Sequence, residues 1–93
     1  MKVTPDIIRY EFIGTEGKVV ESPHEDYVGL NGAVIGETKN TFTLLCEGKP
    51  RNVIKESAVF NFKFKDGTIV EIDGQLLVGR PEDRLKKNIK RLW

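Results

Sequence analysis

The residues best placed to do chemistry in this 93-residue chain are cations. The stretch Gly79–Trp93 reads GRPEDRLKKNIKRLW, and within it Arg80, Arg84, Lys87 and Arg91 recur at i, i+4, i+7 and i+11. On a helix that spacing gathers the four charges on one face. Like charges so placed repel by roughly a few tenths of a kcal/mol per pair. A pattern that costs stability points to a use, and the chemistry on offer is attraction of a polyanion or an acidic protein. The charge is unevenly shared along the chain. From Arg80 onward six basic residues face two acidic ones, a net +4, whereas the preceding residues hold nine basic and twelve acidic, a net −3.

No catalytic grouping accompanies this segment. His24, the single histidine, lies in the turn-like SPHEDY between Ser22 and Tyr27, flanked by Glu25 and Asp26, and reads as a surface loop residue. Cys46, the single cysteine, rules out an internal disulfide and a cysteine zinc cage and reads as a small core residue. Glu71 and Asp73 share a strand face beside a turn, where paired acids are commonly just solvated. GLNG is too short to cradle a phosphate, and metal-ligand spacing is absent, so no catalytic residue, metal or cofactor is expected. The chain holds no apolar run near the roughly 18 residues a membrane helix needs. MKVTPDIIRYEF lacks the apolar stretch of a signal peptide. A reducing, cytoplasmic location and no membrane partner are expected.

These cations must be held by a scaffold, and the rest of the chain describes one. Its length predicts one domain, over residues 1–93. Thr4-Pro5-Asp6 starts a short helix, placed over about 4–13, with a hydroxyl at the cap, proline where no amide bond is needed and an acid at the positive end. Between about 17 and 78 come GKVVES, GAVIGET, NTFTLLCE, PRNVIKES, AVFNFKF and GTIVEIDG. These are short runs rich in β-branched and aromatic residues, separated by Gly, Pro, Asn and Asp. They predict an all-β domain, an antiparallel barrel or sandwich. Phe42, Leu44 and Cys46 fall on one strand face with Thr41 and Thr43 on the other. Phe60, Phe62 and Phe64 alternate with Asn61, Lys63 and Lys65, which makes them core rather than a base-stacking platform. Tyr10, Tyr27 and Trp93 are better candidates for exposed contacts.

The register around Asp66-Gly67 follows from energetics. A two-residue loop would set Phe62 opposite Glu71 and Phe60 opposite Asp73, burying acids without partners. A three-residue loop, Lys65-Asp66-Gly67, with Gly67 left-handed, sets Phe62 opposite Val70 and Phe60 opposite Ile72, and is expected. A second tight turn is expected at Thr38-Lys39-Asn40. Pro81, Glu82 and Asp83 open a last helix over about 81–92, whose Leu85, Ile89 and Leu92 form a core-facing stripe.

GAVIGETKNTFTL, then AVFNF, then GRPEDRLKK together resemble the archaeal ribonuclease P protein component 1, a subunit whose core is shared with eukaryotic ribonuclease P and MRP. The resemblance runs from about Thr4 to about Lys87. ETKNT and RPEDR in that order and spacing carry most of its specificity. It implies an Sm-like, SH3-type antiparallel β-barrel with N- and C-terminal helices. It also implies a non-catalytic, RNA-binding subunit of the ribonucleoprotein that removes the 5′ leader of precursor tRNA. The implied partners are the ribonuclease P RNA, the zinc-ribbon component 4 and other protein subunits, with precursor tRNA met indirectly. The holoenzyme RNA would need Mg2+.

On the motif positions, Lys39 and Asn40 of ETKNT and Arg80 and Arg84 of RPEDR become candidate RNA contacts. Lys87 and Arg91 extend the stripe by helical geometry. Ile7, Ile8 and Phe12 of the first helix become a candidate partner face. Many relatives carry longer basic tails than one ending at Trp93, so less affinity is expected from this tail. The alternative function is an SH3-like interaction module whose basic C-terminal helix docks on an acidic protein.

Overall fold

The computed structural model describes residues 3–84. Within them six strands, β1 (Glu16–Glu21), β2 (Asn31–Glu37), β3 (Thr41–Cys46), β4 (Lys49–Ile54), β5 (Val59–Lys63) and β6 (Ile69–Asp73), form one sheet in the order β4-β3-β2-β1-β5-β6. Every pairing is antiparallel.

The period-2 alternation read from the sequence decides which face turns inward. Val19, Val34, Phe42, Leu44, Val53, Phe60, Phe62, Val70 and Ile72 are buried, one or two from each strand. Ile7, Ile8 and Phe12 from the N-terminal segment and Leu77 from the C-terminal side complete the core. Phe12 lies 4.4 Å from Phe62 between ring centroids and meets Phe42 edge-on at 6.1 Å.

Two register shifts, between Val19 and Glu21 and between Val34 and Gly36, break the ladders of β1 and β2. Such bulges bend a strand and sharpen its twist, which lets a six-stranded sheet curl around a small core. Closure is made by the short 3-10 segments that follow the two edge strands. Lys55–Ser57 after β4 packs on Gly74–Leu77 after β6. The Gly74 amide donates to the Ala58 carbonyl at 2.8 Å. A Cβ on Gly74 would lie 1.9 Å from the Lys55 carbonyl oxygen, so only glycine permits this crossing. The result is a small antiparallel β-barrel.

The β5–β6 loop is the three-residue one expected. Phe62 faces Val70, Phe60 faces Ile72, the Phe64 amide donates to the Thr68 carbonyl at 2.9 Å, and Gly67 is left-handed (φ 89°). The N-terminal element differs from expectation. It is a 3-10 helix over Pro5–Arg9, followed by extended backbone at Tyr10. Helices this short are held by docking rather than by their own ladder, and here Ile7 and Ile8 do the docking. Both are almost completely buried and Phe12 is fully so, which corrects their assignment to a partner face: they are spent on the barrel's own core. At the other end a helical turn covers Pro81–Arg84; the expected continuation to 92, with Leu85, Ile89 and Leu92, lies outside the described residues.

Candidate nucleic-acid interface

β2 ends at Glu37, and the chain reverses through Thr38-Lys39-Asn40 into β3. The Thr38 amide donates to the Thr41 carbonyl at 2.9 Å, the Thr41 amide donates to Thr38 Oγ1 at 3.1 Å, and the two hydroxyls share a hydrogen bond at 2.6 Å. These bonds satisfy the turn's ends through backbone and threonine, leaving the Lys39 and Asn40 side chains exposed.

Beneath the turn lies a fully enclosed ionic cluster. Register sets Glu37 opposite Phe42, an inward residue, so its carboxylate points in and is only 1 % exposed. Lys55 continues the alternation of Val53 and Ile54 and is wholly buried. Its ammonium donates to Glu37 Oε2 at 2.6 Å, to the carbonyls of Thr38 (2.8 Å), Lys39 (3.3 Å) and Gly79 (2.9 Å), and lies 4.7 Å from the Phe42 ring centroid. Arg84 is also wholly buried. Its guanidinium grips both oxygens of Glu37 and donates to the carbonyls of Ile8 (2.7 Å), Gly79 (2.9 Å), Leu77 (3.2 Å) and Tyr10 (3.3 Å). One carboxylate thus serves two cations. The excess positive charge is met by carbonyl oxygens, the condition under which buried ions are tolerated. The planar five-donor fork of arginine suits this many acceptors in fixed directions.

The cluster corrects the expected RNA role of Arg84. Its side chain turns into the protein and ties the N-terminal segment, β2 and the C-terminal segment together, so it offers nothing to a phosphate. The basic stripe fails with it, for a geometric reason. Arg80 precedes the helical turn, its carbonyl accepting from the amides of Asp83 (2.9 Å) and Arg84 (3.1 Å), and the side chain of Arg84 is drawn into the protein while that of Arg80 stays outside. Arg80 itself is exposed. The Gly79 amide donates to the Lys39 carbonyl at 2.7 Å, which joins the backbone before Arg80 to the 38–40 turn. Lys39, Asn40 and Arg80 are therefore brought to one rim, and none of their side chains has a polar partner among the described residues. Lys87, Arg91 and Trp93 lie outside those residues.

The other groups weighed for chemistry are occupied or dispersed. Asp73 accepts from the Gln75 amide at 3.0 Å and caps the Gly74–Leu77 segment, while Glu71 is exposed. His24 is exposed, with Tyr27 5.3 Å away between ring centroids, and Cys46 is half-buried against the core. Among the described residues no cluster of His, Cys, Asp and Glu could hold a metal ion. Sequence reasoning missed Glu37 and Lys55. Alternation from Val53 turns Lys55 inward, but alternation from Val34 would turn Glu37 outward; it is the bulge between Val34 and Gly36, which no residue pattern announces, that sets Glu37 opposite Phe42.

A small antiparallel barrel with a basic turn and an arginine on one rim defines the class: a compact scaffold that presents cations. The chain belongs to the ribonuclease P/MRP subunit p29 family, whose model matches residues 5–87. It is 42 % identical over 91 residues to ribonuclease P protein component 1 of Methanothermobacter thermautotrophicus, covering 96 % of this chain and 98 % of that one. It is 44 % identical over 93 residues to the protein of that name from Methanocaldococcus jannaschii (98 % and 97 % covered). Among solved structures it resembles Mth11, a homologue of human RNase P protein Rpp29, with TM-score 0.61 and 42 % identity over 81 % of this chain and 97 % of that one.

Proposed function

We propose that this protein is the RNA-binding, non-catalytic barrel subunit of a ribonuclease P, whose RNA removes the 5′ leader of precursor tRNA. The observation that carries the reading is the rim itself. Lys39, Asn40 and Arg80 are exposed, without polar partners among the described residues, and their segments are joined by the Gly79 amide to Lys39 carbonyl bond. Ammonium and guanidinium groups there neutralise phosphates and release counterions, and the amide of Asn40 can donate to phosphate or sugar oxygens. Lys87 and Arg91 extend the surface in this reading. The partners are the ribonuclease P RNA, the zinc-ribbon component 4 and the other protein subunits, in the cytoplasm. The protein brings no cofactor, and the Mg2+ belongs to the RNA.

The test is a titration of the purified protein with ribonuclease P RNA and, in parallel, with an unrelated structured RNA at moderate salt. Preferential binding of the ribonuclease P RNA is expected. Equal and weak binding to both, together with capture of an acidic protein subunit in pull-downs, would overturn the reading in favour of a protein-docking module.

A further inference from the structure

We infer that Lys55 and Glu37 are positioning residues for RNA binding: they set the arrangement in which Lys39, Asn40 and Arg80 meet the RNA, without touching it. The inference rests on the reading above and assigns a role to two residues outside the RPEDR and ETKNT contacts proposed there. Glu37 lies in ETKNT but is enclosed, and Lys55 lies in neither motif.

The barrel core alone does not fix the rim. The 38–40 turn and the Gly79–Arg80 segment come from distant parts of the chain, and one backbone bond, Gly79 amide to Lys39 carbonyl, joins them directly. Arg84 adds an indirect link, donating to the Gly79 carbonyl and to Glu37 below the turn, and Lys55 bonds the carbonyls of both segments itself. Its ammonium takes the Thr38 and Lys39 carbonyls from one side and the Gly79 carbonyl from the other. The Lys55 amide also donates to the Asn40 carbonyl at 2.8 Å. Glu37 Oε2 holds that ammonium at the junction and is shared with Arg84, which also takes Oε1. With the carbonyls of 38–40 drawn inward, the side chains of Lys39 and Asn40 stand outward. The cluster costs desolvation, and apolar residues would fill its volume without that cost, so geometry rather than stability is what it supplies.

The experiment is a double-mutant cycle. Lys55→Met removes the ammonium but leaves the Glu37–Arg84 pair intact, so no lone charge is buried. Binding of the full chain to its cognate ribonuclease P RNA is measured for wild type, Lys55→Met, Lys39→Ala/Arg80→Ala, and the combination. Amide exchange of β1, β3 and β5 reports the core, and exchange of the Gly79 amide reports the rim. Lys39→Ala/Arg80→Ala is expected to weaken binding about tenfold in the wild-type background. Lys55→Met is expected to weaken it about fivefold, with faster exchange at Gly79 and unchanged core strands; in its background the rim substitutions then cost less than about twofold.

Equal loss from the rim substitutions in both backgrounds would overturn the positioning role. No loss in either would overturn the RNA-binding reading instead. Should Lys55→Met fail to fold, Glu37→Gln/Lys55→Met is measured in the same cycle. It keeps the net buried charge of the triad at its wild-type value and leaves an amide oxygen to accept from Arg84, with the same outcomes deciding.

Discussion

Two regions flank Phe42, and they hold the barrel by opposite means. On one side its ring meets Phe60 at 5.4 Å and Phe62 at 5.5 Å, within a core that includes Phe12 and Ile72. On the other side lies the Lys55 ammonium, then Glu37 and Arg84. The aromatic side is non-directional. It rewards burial and tolerates any shape that fills the space. The ionic side is directional, since each carbonyl and carboxylate oxygen must meet a donor at hydrogen-bond distance. The first supplies stability and the second supplies placement, and the rim proposed to meet RNA sits on the second.

Substitutions can break this comparison, and the largest effects fall where an ion or a ring loses its surroundings. Arg84→Glu sets a second carboxylate against Glu37 and takes the guanidinium from the carbonyls of Ile8, Tyr10 and Leu77. It is expected to cost at least about 3–5 kcal/mol and to leave no cooperative unfolding transition in a urea titration. Phe62→Ala empties the centre of the aromatic side and is expected to cost about 3–5 kcal/mol in the same assay. Gly74→Ala drives a Cβ into the Lys55 carbonyl at the seam between the two edges, for a loss of about 1–3 kcal/mol, read as a lowered thermal midpoint. Lys55→Met sharpens the contrast. Stability is expected to change by less than about 2 kcal/mol, because the Glu37–Arg84 pair survives, while RNA binding falls. A polar residue of similar size at Phe62, by contrast, would forfeit stability outright. Smallest is Asp66→Ala in the β5–β6 loop, which removes the acceptor of the Thr68 amide and is expected to cost about 0.5–1.5 kcal/mol in chemical denaturation.

The aromatic side is legible from the sequence because its information is local. The alternation of Phe60 and Phe62 with Asn61 and Lys63 sets the faces, and the cost of burying Glu71 and Asp73 sets the loop length. The ionic side is not legible in the same way, because its members are 18 and 47 residues apart from Glu37 and meet only once the barrel is closed. Helical spacing groups Arg84 with Arg80, but it cannot show that Glu37 and the carbonyls of Ile8 and Tyr10 wait to draw Arg84 inward. Ile7, Ile8 and Phe12 read equally well as a docking face or as core, and a single chain offers no way to choose before its packing is known. Lys39 and Asn40 needed the family motif, since two residues of an exposed turn carry no periodic signal, while the stripe that pointed to Arg80 pointed equally to the buried Arg84.

The central claim is that the rim at Lys39 and Arg80 contacts RNA phosphates, and the salt dependence of binding tests it most directly. Each phosphate contact contributes roughly 0.7–0.9 to the slope of log K against log salt concentration. The Lys39→Ala/Arg80→Ala protein should therefore bind ribonuclease P RNA with a slope about 1.5 shallower than wild type. An unchanged slope would mean that these cations do not meet the RNA, and the account would be wrong.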